Sequence, residues 1–156
     1  SRMDQCLGIF REVGAMIGYA FYLSLAAGAH ATIGDYDKCG DMIEEAFQLS
    51  ARSRGFFHES ELHRLKGMLT LLRQGESGAA DAESQFHTAL VIARAQDARL
   101  LELRASNAMG RLWIDRNRAK AAHDLIAPIH DWFSEGFDAA DLKEARALLD
   151  ETRKSA

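Results

Sequence analysis

"ELRASNAMGRLWIDRNRAKAAHDLIAPIHDWF", residues 102–133, carries the spacing on which the fold reading turns. Gly110 is followed by Trp113, Asn117, Ala122, Ile126 and Ile129, at successive offsets of 3, 4, 5, 4 and 3. A small residue and an aromatic share one helix, Asn117 marks a turn, and a small–large–small series follows on a second helix. Packing explains the order: small residues belong where two helices cross, and large ones fill the gap beside the crossing.

The pattern returns upstream. Ala27, His30, Gly34, Cys39, Ile43 and Ala46 repeat it offset for offset. Gly67, Gly75, Ala82, Phe86 and Ala89 repeat it more loosely, with extra residues around the turn at Glu76, Ser77 and Gly78. Such spacing is that of a tetratricopeptide repeat. From Ala46 to Gly67, and again from Ala89 to Gly110, the interval is 21 residues, where a 34-residue repeat leaves about 15. Second helices lengthened twice by the same amount argue for a genuine repeat. The expected fold is all-α, a right-handed α–α superhelix of about eight antiparallel helices in one domain, 1–156. Expected helices cover 2–12, 15–33, 37–54, 59–74, 79–96, 99–116, 119–134 and 139–153. They group into pairs over 15–54, 59–96 and 99–134, with 139–153 as a cap. Counting 21 back from Ala27 reaches Cys6, so 2–12 reads as the second helix of a pair whose first helix lies upstream.

Composition agrees. The 156 residues are 47% hydrophobic and 27% charged, as in soluble globular chains, and a lone proline, Pro128, suits a helical one. The net charge of −4 argues against nucleic acid as a partner, because phosphate contacts need a basic face. Cys6 and Cys39 form no ligand or redox motif and read as small apolar residues of a reducing, cytoplasmic setting. The 22 positions from Val13 to Gly34 carry no charge, enough for a bilayer span. Four glycines, His30, Ser24 and Thr32 dilute them, and a buried helix is the expectation, without a membrane partner.

"ELHRLKG" (61–67), "ELRASNAMGRLWIDRN" (102–117), "LIAPIHDWF" (125–133) and "EGFDAADLKEARALLDE" (135–151) resemble a known family region. It is the C-terminal tetratricopeptide-like tail of large bacterial proteins in which a nucleotide-cyclase or DNA-binding domain precedes an AAA-type or STAND signalling ATPase. The resemblance covers nearly the whole chain and is densest over 99–151. It implies a sensory or scaffolding role in signal transduction. The chain departs from that pattern at His30 and His130, where tyrosine is usual, and no G-x-x-x-x-G-K-[ST] occurs in it to cradle a triphosphate.

The ending "WFSEGFDAADLKEARALLD" (132–150) reads as a lid, because the last pair of a helical stack otherwise leaves its apolar face wet. Gly136 lets the chain reverse, Phe137 is expected to tuck back, and Asp138 is expected to cap the helix, with Asp141 adding charge to its first turn. Leu142, Ala145, Leu148 and Leu149 form the inward stripe; Lys143, Glu144, Arg146 and Asp150 face water.

Catalytic chemistry finds no support. In "HESELH" (58–63) the histidines stand five apart, whereas a zinc helix needs four. Glu59 and His63 have the right spacing but no third ligand is evident. His123 and His130 are two turns apart as on any helix face, and His87 beside Phe86 is more plausibly a half-buried polar residue than a base. No nucleophile–base constellation is present, so neither enzyme activity nor a cofactor or metal is expected.

A groove is the better candidate. Projecting the repeat places Phe21, Ser24 and Gly28, then Glu61, Arg64 and Met68, then Arg104, Asn107 and Arg111, on the concave side. Three arginines and an asparagine on one wall suit the carboxylates of an acidic peptide; the plainer reading pairs them locally with Glu61 and Glu102. Expected partners are a protein, a peptide or other domains of the parent chain. The rival function is effector sensing, in a pocket lined by Tyr19, Tyr22 and Trp113 with space at Gly28, Ala31 and Thr32. An apolar edge at 2–12 would also allow homodimers.

Overall fold

The computed structural model describes residues 19–52 and 58–154. Seven α-helices run through them: α1 (Tyr19–Thr32), α2 (Tyr36–Arg52), α3 (Glu59–Gln74), α4 (Ala79–Ala95), α5 (Arg99–Asp115), α6 (Ala119–Trp132) and α7 (Ala140–Lys154). No strand occurs among the described residues. Observed ends fall within two residues of most expected ones, and a 3-10 turn over Gly75–Gly78 takes up the extra residues between α3 and α4. The expected helix at 2–12, and with it the apolar edge, lies outside the described residues, as does the start of the 15–33 helix.

Successive helices pack on each other, and α1, α3, α5 and α7 also touch in series, α1 on α3, α3 on α5 and α5 on α7. The crossings are those the repeat foretells. A methyl group placed on Gly67 would meet the Phe86 ring at 2.6 Å, and one on Gly110 would run into Ile126. Ala82 and Ala122 sit fully buried beside the same crossings. In the first pair Ala27, Cys39 and Ile43 share one buried cluster with Leu65 and Leu69. The turn positions also behave as expected: Gly34 and Asn117 have φ of +79° and +59°, left-handed values that glycine and asparagine tolerate best.

Three layers of apolar packing result. Leu23, Ala26, Ala46 and Leu62 join α1, α2 and α3. Phe86, Ala89, Ala105 and Met109 join α4 and α5, with Met68 and Leu71 of α3 packed against them. Leu103, Ile126, Ile129, Leu142 and Leu148 join α5, α6 and α7. Polar ties cross the layers. Ser60 Oγ donates to the Ala89 carbonyl at 2.9 Å, and Glu83 accepts from Trp113 Nε1 at 2.7 Å and from Arg118 at 2.8 Å.

The cap differs from expectation in two details. Its stripe of Leu142, Ala145, Leu148 and Leu149 is buried and Gly136 has φ +77°, as the reversal requires. Phe137, however, stays 47% exposed, its ring 5.9 Å from that of His130. The first helical hydrogen bond of α7 ends on the Ala139 carbonyl, so the capping position falls one residue after Asp138. The tight Gly136–Ala139 bond of 2.8 Å sets that start, leaving Phe137 on the outside of the turn. No helix among the described residues is long and apolar enough to cross a membrane.

Candidate functional site

A groove of about 820 Å3 opens across the face formed by α3, α5 and α7. Because α3 and α7 each touch α5 but not one another, α5 lies between them and forms the base. Met68, Leu71 and Leu72 of α3, Ala108 and Leu112 of α5, and Phe86 of α4 supply the apolar surface. Charged side chains rim it: Glu61 and Arg64 from α3, Arg104, Arg111 and Asp115 from α5, Asp141 and Glu144 from α7, and Glu76 from the 3-10 turn.

Five of the nine residues projected onto this wall are there: Glu61, Arg64, Met68, Arg104 and Arg111. Ser24 is not. It is buried in α1, with its hydroxyl on the Phe21 carbonyl at 2.7 Å. Asn107 is 1% exposed and serves packing, its amide donating to the Asp141 carbonyl at 2.9 Å. Phe21 lies against His58 with ring centres 4.7 Å apart, and Gly28 faces Leu65. The projection treats the repeat as regular along its length, whereas the groove belongs to the second and third pairs and the cap.

The arginines are already engaged. Arg64 grips Glu61 with two hydrogen bonds of 2.9 and 2.6 Å and reaches Met68 Sδ at 2.6 Å. Arg104 pairs with Asp141 at 3.0 Å. Arg111 forms a fork on Glu151 at 3.0 and 2.8 Å and approaches Asp115 at 3.6 Å. Burial works against the Arg64 charge, but the bonded Glu61, with Glu144 and Asp141 across the groove, outweighs it and raises its pKa further. Local pairing with Glu61 is therefore what the structure adopts, and two α7 carboxylates satisfy the other two guanidiniums. Glu102, the second expected partner, accepts instead from Arg94 and Arg99 at 2.7 and 3.1 Å. An acidic peptide would find no open guanidinium fork on this wall.

Sequence alone assigns Asp141 to the first turn of the cap and Glu144 to solvent, and gives Glu151 no place; Asp141 and Glu144 line the groove, and Glu151 meets Arg111 from beyond it. A signal existed. They recur at intervals of three and seven along α7, and Arg104 and Arg111 stand seven apart on α5, so parallel helices bring them opposite one another.

The residues of the expected effector pocket do not come together. Tyr19 packs with Leu23 and Leu62 and donates to Glu45 at 3.0 Å. Trp113 packs against the Phe86–Met109 cluster beneath Arg118, whose guanidinium lies 4.4 Å from its ring. Of the histidines, His63 bonds Gln85 at 2.8 Å. Among the described residues no three His, Cys, Asp or Glu side chains gather as metal ligands would.

No protein-family model matches the chain, and no curated protein matches it.

Proposed function

We propose that this chain is a non-catalytic interaction module, which receives a segment of a protein partner, or of its own parent chain, in the groove between α3 and α7. The observation that carries the reading is the groove itself. It is apolar at its base and charged at its rim, the anatomy by which helical scaffolds hold amphipathic segments. Leu72, 45% exposed at its edge, offers an anchor contact that folding leaves unused. In this reading the described helices are part of a longer right-handed solenoid, serving a cytoplasmic signalling protein, an ATPase-linked cyclase or transcription regulator.

One observation favours a second reading. About 820 Å3 lies within the 300–1,000 Å3 that small-molecule sites enclose by general survey, so the same groove would suit an effector.

Thermal melting of the chain against peptide and metabolite libraries separates the two, since a ligand of the folded state raises the melting temperature by mass action. The interaction reading expects saturable shifts from peptides, lost in Leu72→Glu. Shifts from a metabolite alone, lost in the same variant, favour the effector. Shifts that persist unchanged in Leu72→Glu place binding elsewhere and overturn both.

A further inference from the structure

The rim charges do not balance. Five carboxylates (Glu61, Glu76, Asp115, Asp141 and Glu144) line the groove with three guanidiniums. Arg64 is taken up by Glu61 and Arg104 by Asp141. Arg111 is held more closely by Glu151, which approaches from beyond the groove, than by Asp115, at 2.8 against 3.6 Å. Glu76 is answered by Arg116 at 3.1 Å. Two carboxylates remain weakly matched. Asp115 shares Arg111 with Glu151, and Glu144 makes one long hydrogen bond, with the Asn107 amide at 3.5 Å, while facing the already paired Arg64 across the groove. One stands at the C-terminal end of α5 and the other on α7, so they mark separate points along the rim above the same apolar base.

Resting on the interaction reading above, we propose that the occupant of the groove is a basic amphipathic helix. Its apolar stripe packs on Met68, Leu72 and Leu112, and its lysines or arginines meet Asp115 and Glu144. Charge complementarity selects it. An acidic segment would bring like charge against these two weakly matched carboxylates and would have to displace Glu61, Asp141 or Glu151 to reach a guanidinium. An apolar base with a flexible thioether accommodates stripes of differing shape, so charge rather than shape sets the preference.

The test uses the full 156-residue chain and two fluorescein-labelled 18-residue helical peptides, one of leucine and lysine, its twin of leucine and glutamate, followed by anisotropy. The expected result is binding of the lysine peptide about tenfold or more tighter than its twin, weakening as salt rises. Asp115→Asn with Glu144→Gln should weaken it by roughly three- to tenfold, as the loss of two exposed charge pairs implies. The same charge change at Asp81 and Glu135, exposed residues away from the groove, should leave it nearly unaltered. Equal weakening in the two double variants would reduce the effect to bulk charge and overturn the proposal. Tighter binding of the glutamate peptide, lost in Leu72→Glu, would also overturn it while leaving the groove as the docking site. Binding of either peptide untouched by Leu72→Glu would remove the groove reading itself.

Discussion

At Gly110 the crossing of α5 and α6 depends on a missing carbon. A side-chain methyl there would strike Ile126, and α5 and α6 would have to separate. Gly110→Ala should therefore cost about 1–3 kcal/mol, the usual penalty of overpacking. Ile126→Val alone should cost about 0.5–1.5 kcal/mol, yet it removes the carbon that the new methyl meets. The double variant should lose less than the two singles together, a coupling that urea denaturation resolves. Glu83 gives a second prediction. Partial burial opposes its charge, but hydrogen bonds from Arg118 and Trp113 win and hold its pKa below the ordinary 4.5. A depressed carboxylate stabilises the fold above its unfolded pKa, and that stability is lost as pH falls through the folded one. Glu83→Gln should thus flatten the decline in stability as pH falls through and below the ordinary carboxylate range, with little change in slope nearer neutrality. Cys39 gives a third. Burial first, then the nearby Asp35, raise its pKa against the opposing pull of Arg73. In a Cys6→Ser background the remaining thiol should react with a disulfide reagent only after unfolding.

Among the elements, α7 is held by two kinds of force. Leu148, 1% exposed, fixes it to α5 and α6 through the apolar layer, while Asp141 and Glu151 fix it to α5 through Arg104 and Arg111. The apolar part should dominate. Leu148→Ala should cost about 2–5 kcal/mol, and Glu151→Gln, whose carboxylate is exposed to solvent screening, should cost far less. Comparing the two unfolding midpoints checks the order. Helices and crossings were legible because Gly67, Gly110, Ala27 and their large neighbours obey fixed offsets that packing enforces. The details of the cap were not, because Phe137 and Asp138 answer to the geometry of one tight turn rather than to a period. The groove was half legible. Arg64 and its local partner Glu61 follow from the repeat, as do Arg104 and Arg111, but the partners of the last two, Asp141 and Glu151, belong to a helix more than thirty residues away. Pairing at that distance is settled by which helices lie parallel, a property of the stack and not of any local window.

On the scale of the molecule, the three apolar layers share helices: α3 carries residues into the first and second layers, and α5 into the second and third. Neighbouring layers are thus coupled through common rods: among the described helices α5 touches α3, α4, α6 and α7, whereas α7 touches α5 and α6 alone. The two tryptophans fall on either side of that division. Trp113 is half-buried in the middle layer with its indole nitrogen on Glu83, while Trp132 at the end of α6 is 59% exposed beneath Arg99. Each therefore emits from a different solvent environment, and iodide will quench Trp132 long before it reaches Trp113. With one or the other replaced by phenylalanine, the intrinsic fluorescence of the chain becomes a pair of position-resolved clocks. One times the opening of the C-terminal end, and the other the opening of the centre.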